Sequence, residues 1–420
     1  LDVGLDGLHF DNTHGEPGYS EPTLERFKKY LSDTIPDSMK RFGIDGVDHI
    51  RIPPESMLKN DIRDPLTQEW IRFRAGALAD VLHVLRTHAL SVKPDAVLLF
   101  NPSQPRGTYN TLAERATYMN AYGRAADMIW AENGNFPRVE NGILIHQLES
   151  YKIADAVGYA CLSTTWLRGI EGIGLPTHPE QIELSIAESA AFGGLPGLNW
   201  ALRPANRGQN VVIDDPALQS AARAMLAFIS TNADAFADSR SVAQVAVLYS
   251  FPSIAFNHRL SYGAFCATLQ SLAQRHVPFD IIFADSLERV TQDDVVILRE
   301  TVCLSESETS ALMDYVQNGG SLVLIGDCVD ANENFRQRRV PSFSGIDHPR
   351  IRRLESLGQL PDPDGYTLKT PLPARAPQLT TAIKDLLGDR LLFSFNAPET
   401  VLVDIRRSAS GSEYLPFGNF

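Results

Sequence analysis

The sequence predicts an α/β protein: the C-terminal part of a TIM-type (β/α)8 barrel over residues 1–235, a three-layer α/β domain over 242–375, and the start of a β-rich segment over 376–420. Three observations carry this prediction. Short apolar runs alternate with amphipathic stretches of helical period through the first 235 residues. A small-residue linker, Asn232 to Ser241, separates them from a second alternating region. Two β-type runs flank Ser408-Ala409-Ser410-Gly411-Ser412 near the end, as in a hairpin.

The first element, Leu5 to Asn12, reads as a strand ending on an acid and followed by the polar loop Thr13-His14-Gly15. Alternation puts Gly7, His9 and Asp11 on one face and Leu8 and Phe10 on the other. Small and polar groups toward an enclosed axis suit a barrel strand, so His9 is expected to pack inside. Asp11 then stands at the carboxyl end, where barrel enzymes place their chemistry. Ser20 and Pro22 start a helix that buries Leu24, Phe27 and Leu31. Residues 33–62, with Pro36, Pro53 and Pro54, form an irregular excursion. Asp64-Pro65 opens a long helix whose apolar face is Trp70, Phe73, Ala77, Val81 and Leu85.

Strands are then expected at 95–101, 128–132, 159–164 and 195–201, with helices at 111–126, 140–157, 179–191 and 216–231. That makes five strand-helix units, whereas a full barrel has eight in about 250 residues. The expectation is a barrel lacking its upstream part. An open doubly wound sheet is the alternative. No strand-helix turn carries its glycine-rich phosphate loop, and Gly169 to Gly174 has the wrong spacing.

In the second region, strands are expected near 243–249, 279–283, 294–298 and 321–326. A helix closed by Gly319-Gly320 runs straight into the last of them. Residues 330–375 look loop-rich.

Composition narrows the function classes. A formal charge of -13 and a pI near 5.3 argue against nucleic acid and anionic membranes as partners and fit a neutral ligand such as a sugar. No apolar run reaches membrane-spanning length. Cys161, Cys266, Cys303 and Cys328 are scattered, with neither disulfide-framework nor metal-ligand spacing, so free thiols and no metal or cofactor are expected. With no signal-like segment visible, a cytoplasmic location is favoured.

The second region resembles the trimerisation-type domain of microbial beta-galactosidases, a relative of the glutamine-amidotransferase (flavodoxin-like) fold. The matching residues are Val245 to Ser250, Val295 to Leu298, and Leu304-Ser305-Glu306-Ser307-Glu308 leading to Tyr315 to Leu324. The resemblance covers roughly 90 residues and implies homo-oligomerisation through this domain. The first region is similar to glycoside-hydrolase-like barrels carrying Asp-Gly-x-x-Phe-Asp-Asn about midway, here Asp6 to Asn12. Those relatives often continue with a cysteine-rich loop, which here reads Gly15-Glu16-Pro17-Gly18-Tyr19. Together the resemblances imply a carbohydrate substrate and glycoside hydrolysis. The alternative is a non-catalytic carbohydrate-binding or assembly protein on the same scaffold.

Glycoside hydrolysis uses two carboxyl groups flanking the bond, ~5 Å apart for retention and wider for inversion. The acids that end predicted strands are Asp11 and Glu132. Taking the first strand as the fourth of the barrel, Glu132 ends the sixth. This layout resembles alpha-fucosidase-like hydrolases, with an Asp nucleophile and a Glu acid/base. A beta-galactosidase layout would need a Glu after the seventh strand, which here ends Ser163-Thr164-Thr165. Asp11 is therefore the expected nucleophile and Glu132 the acid/base. His14, Asn101, Trp200 and Arg203 are the candidate sugar-binding groups. Glu149 reads as a mid-helix surface acid, solvated or paired. Cys328 lacks the glycine elbow of a working nucleophile.

Overall fold

The computed structural model describes residues 4–15, 18–35, 38–102, 110–133, 137–165, 179–196, 216–290, 295–358 and 370–419. Its first sheet has five parallel strands: β1 (Gly7–Phe10), β2 (Val97–Phe100), β3 (Met128–Asn133), β4 (Ala160–Thr165) and β5 (Leu195–Pro196). They lie side by side in chain order. A doubly wound sheet reverses direction at a switch point and this one does not, so the open-sheet alternative is set aside.

The sheet has two unlike faces. Phe100, Ile129, Ala131 and Cys161 are buried in one core with Ile71, Tyr122 and Tyr151, and Leu98 is buried as well. On the other face, Leu99, Met128 and Trp130 are half-buried and Val97 is exposed. The helical layer includes α1 (Glu21–Thr34), α2 (Pro65–Val92), α3 (Leu148–Val157), α4 (Pro179–Ala191) and α5 (Pro216–Thr231). Phe27 and Leu31 of α1 are buried as expected, with Leu24 packed partly against them.

The N-cap of α2 is Asp64, whose carboxylate accepts the Thr67 backbone N–H at 2.7 Å. Its buried stripe includes Trp70, Ile71, Ala75, Ala79, Leu82 and Ala89, while Val81 is 52% exposed. Of the expected stripe, Trp70 is buried and Phe73 and Leu85 pack partly against the core, while Val81 falls outside it. Alanines bring the helix close to its neighbours, and a reading weighted by side-chain bulk passes over them.

Two expected helices also differ. Residues 111–126 break at Ala116, which takes a left-handed φ of 58° between Thr111–Arg115 and Met119–Tyr122. Residues 140–157 begin with a hairpin, Arg138–Glu140 against Ile143–Ile145. It turns on Asn141 and Gly142, both at positive φ, before α3 starts. Asn-Gly is a hairpin signal in its own right.

The second sheet is also parallel: β6 (Val245–Tyr249), β7 (Asp280–Phe283), β8 (Val295–Arg299), β9 (Ser321–Ile325) and β10 (Ile351–Leu354), in the spatial order β7-β6-β8-β9-β10. This 2-1-3-4-5 order is that of flavodoxin-like sheets. Four strands coincide with the expected runs; β10 lies inside the stretch expected to be loop-rich. Its sequence, Ile-Arg-Arg-Leu, belongs to an edge strand and lacks the apolar run of the inner ones.

Along β6, β8 and β9, odd-numbered residues such as Val247, Ile297 and Val323 enter one core and even-numbered ones such as Leu248, Leu298 and Leu324 enter another. The first of these cores is continuous with that of the first sheet. Helices α6 (His258–Gln274) and α8 (Ala376–Leu387) lie on its side, and α7 (Glu306–Gln317) covers the other. A capping box opens α7, Ser305 Oγ accepting from Glu308 N while Glu308 accepts from Ser305 N. Because α8 packs on β8, β9 and β10, the layers of this sheet continue past residue 375. Near the end, Val401–Val403 pairs antiparallel with Phe417–Asn419, and Arg406–Arg407 runs between Glu413–Tyr414 and Arg240–Ser241.

The three regions meet on buried charge. Lys152 of α3 donates from Nζ to both Asp404 oxygens at 2.9 Å and to Asp280 of β7 at 3.3 Å. Arg406 reaches Asp404 and Asp155, each at 3.3 Å, and donates from Nε to Ser239 Oγ at 2.9 Å. Lys152, Asp404 and Arg406 are all but inaccessible. Burial pulls the Lys152 ammonium toward its neutral form, but Asp404 and Asp280 outweigh that and raise its pKa overall. Lys152→Met is expected to cost about 3–5 kcal/mol by leaving buried charge uncompensated. Urea denaturation checks this, and a loss under about 1 kcal/mol would assign the cluster no structural weight.

Candidate functional site

The candidate site lies at the carboxyl end of the first sheet. Strands β1 and β2 approach so closely that a Cβ on Gly7 would lie 2.3 Å from the Val97 carbonyl oxygen, so this position requires glycine. The ladder continues past the strand ends, with Asn101 N donating to Phe10 O at 3.0 Å and Thr13 N to Asn101 O at 2.7 Å. Between these bonds the chain turns through Asn12 at φ 49°. Asp11 is thus held to β2 from both sides.

Its side chain is held as well. Asp11 Oδ1 accepts from Asn101 Nδ2 at 2.7 Å and from Asn12 N at 2.9 Å, and Oδ2 accepts from Asn12 Nδ2 at 3.2 Å. Asn101 is buried and Asp11 exposed. A buried amide therefore orients an accessible carboxylate, which makes Asn101 more than a turn residue before Pro102.

His9 departs from its expected enclosure: it is exposed, with its ring 4.6 Å from that of Trp130. The reason is positional, since β1 is an edge strand among the described residues and the face it shares with Trp130 is open. Partial burial lowers the His9 pKa below 6.5, with the negative charge of Asp11 acting in the opposite direction.

His14 lies one loop further on, its Nε2 3.1 Å from an Arg115 guanidinium nitrogen. Because that guanidinium can only donate, Nε2 is the acceptor in this pair. Arg74 secures the loop, donating to the carbonyls of Gly15, Ala113 at 2.7 Å and Glu114 at 2.9 Å. Arg115 and Trp130 are groups of this region that the sequence reasoning missed. Trp130 was legible in principle, since it precedes Glu132 by two residues and so shares its strand parity.

The backbone of Glu132 pairs with Thr164 in β4, and β2 separates β3 from β1. The side chain of Glu132, and Trp200 and Arg203 entirely, lie outside the described residues. Glu149 is not the surface acid expected of it: it is buried and accepts the Tyr262 hydroxyl of α6 at 2.8 Å. All four cysteines are buried and none is in a disulfide. Cys328 donates its thiol to Leu298 O and Ile325 O, and burial pushes its pKa up to about 12, far from a thiolate at neutral pH. Among the described residues, no group of three or more His, Cys, Asp or Glu side chains is placed to hold a metal ion.

No protein-family model and no curated sequence matches the chain. Solved structures do. A beta-galactosidase from Bacillus circulans sp. alkalophilus matches with a TM-score of 0.70 at 14% identity, over 96% of this chain and 71% of that one. The cold-adapted beta-galactosidase from Rahnella sp. R3 matches with a TM-score of 0.72 at 15% identity, over 98% and 72%. Alpha-L-fucosidase isoenzyme 2 from Paenibacillus thiaminolyticus gives 0.51 at 12% identity, over 92% and 67%. At such identities the likeness establishes the fold alone, an α/β architecture of parallel sheets shared with these structures.

The electrostatic influence of Asp11 on His9 is testable by proton NMR of the imidazole. The midpoint is expected below 6.5, and lower still in Asp11→Asn, since that change removes the charge favouring the imidazolium. An unchanged midpoint would show that the two groups are uncoupled.

Proposed function

We propose that the chain is a glycoside hydrolase acting on a neutral sugar with retention of configuration, Asp11 serving as nucleophile and Glu132 as acid/base. The observation that carries this reading is the exposed Asp11 carboxylate, oriented by buried Asn101 at the carboxyl end of a parallel sheet. The glycosidase-like fold supports it. The strand equivalent to the seventh of a barrel, β4, ends Ser163-Thr164-Thr165, which directs the assignment to the Asp11 and Glu132 positions.

In the proposed reaction, Asp11 attacks the anomeric carbon while Glu132 protonates the departing glycosidic oxygen. The resulting glycosyl ester with Asp11 is then cleaved by a water that Glu132 deprotonates, which restores both groups. Asn101 holds Oδ1 of Asp11, and Oδ2, which accepts from the exposed Asn12 side chain at 3.2 Å, is the attacking oxygen. Trp130, half-buried beside His9, offers an aromatic face to the sugar ring, and His14 with Arg115 offers polar contacts. Trp200 and Arg203 are assigned to sugar binding on sequence grounds. The second domain is assigned to homo-oligomerisation, which sedimentation over a wide concentration range would test.

A screen of nitrophenyl glycosides identifies the substrate. On it, Asp11→Ala and Glu132→Gln are each expected to lower kcat by about 10²–10⁴-fold. Azide added to Asp11→Ala should yield a glycosyl azide of inverted configuration, because azide enters from the face that the carboxylate vacates. Turnover unchanged in both variants would sink the assignment. Saccharide binding with no turnover in the unaltered protein would favour the non-catalytic alternative.

A further inference from the structure

The carboxyl edge of the second sheet holds a buried guanidinium with no hydrogen-bond partner. Arg299 ends β8, the central strand of the sheet, and is only 3% exposed. Its Nε and both Nη atoms are buried without a hydrogen-bond partner. Among the described residues, it is the one guanidinium in this condition at all three nitrogens.

Polar groups that follow β6 and β8 in the chain are engaged with one another. Ser250 and Ser253 donate to Cys303 O at 2.7 and 2.9 Å, and Ser261 donates to Glu300 O at 2.8 Å. The neighbouring carboxylate, Glu300, is turned to a different task. Its backbone takes a left-handed φ of 45°, and its Oε2 accepts from Asp327 N at 2.9 Å. Its Oε1 lies where a side chain on Gly326 would begin, a Cβ there falling 1.9 Å away. The Glu300 carboxylate thus fastens the β9 exit loop and makes no hydrogen bond to Arg299.

Position adds a second argument. Strand β6 leads outward to β7 at one edge, while β8 leads to β9 and β10 at the other. The carboxyl ends of β6 and β8 therefore flank the topological switch point, where open α/β sheets bind ligands. A guanidinium presents five donors in a planar fork suited to carboxylate or phosphate, and burying it without an acceptor is costly.

We propose that this edge of the second sheet is a binding site for a small oxyanion, of carboxylate or phosphate type, held by Arg299. The site is separate from the carboxyl end of the first sheet and does not depend on the glycosidase reading.

Thermal unfolding of the full chain at constant ionic strength, with chloride replaced by inorganic phosphate or by acetate, tests the proposal. The midpoint is expected to rise by about 2 °C or more with one of the two anions, saturably. Arg299→Met should abolish the dependence, and Arg299→Lys, which keeps the charge but loses the fork, should weaken binding about 10-fold. Equal midpoint rises in the unaltered protein and Arg299→Lys would reduce the effect to general salt stabilisation and overturn the proposal. If Arg299→Met does not fold, equilibrium dialysis of labelled phosphate and acetate against the unaltered protein decides: one saturable site supports the proposal, and no bound anion overturns it.

Discussion

The structure depends on a charge cluster whose centre, Lys152, Asp404 and Arg406, is closed to water. Lys152, Asp404 and Arg406 come from a helix of the first region and from the C-terminal strands, and Asp280 joins from the second sheet. Pairs of this kind gain little over apolar packing when complete and cost much when broken. Their value lies in discrimination: a misdocked arrangement leaves at least one full charge in an apolar interior. The continuous apolar core between the two sheets supplies the adhesion, and the cluster selects the register in which it forms.

That arrangement bears on the candidate site through α3. Strand β3, which carries the Glu132 position, continues through the Asn141-Gly142 hairpin into α3, where Glu149 and Lys152 are anchored to the second domain and the C-terminal strands. The Asp11 side is held differently, by the close approach at Gly7 and the buried Asn101 amide. The two halves of the proposed acid pair thus rest on separate supports, one local to β1 and β2 and one reaching across the molecule.

Much of the architecture was legible in the sequence because parallel strands buried on one or both faces leave dense apolar runs. All five strands of the first sheet and four of the second fall where strands were expected, β1 by its alternation and most of the others by such runs. The misses share a physical origin in tertiary context. Strand β10 carries two arginines at an edge, Ala116 breaks a helix by a left-handed turn without glycine, and Val81 lost its place to smaller alanines. At the site, alternation placed Asp11 and His9 on one face, and the strand-end position put Asn101 in reach of Asp11. The exposure of His9 was not legible, since it depends on which strands flank β1 in space. Nor was the burial of Glu149, whose partner Tyr262 lies 113 residues away.

The linker at Asn232 to Ser241 divides the chain by composition, yet Arg240–Ser241 forms a strand beside Arg406–Arg407, and Ser239 accepts from Arg406. The boundary a reader would draw for excision is therefore stitched into the C-terminal sheet. A fragment cut there would surrender a β-ladder, the buried Lys152–Asp404 pair and part of a shared core in a single stroke. Over evolutionary time such a joint favours inheritance of the regions as a block, with exchange of one obliging matched change in the others.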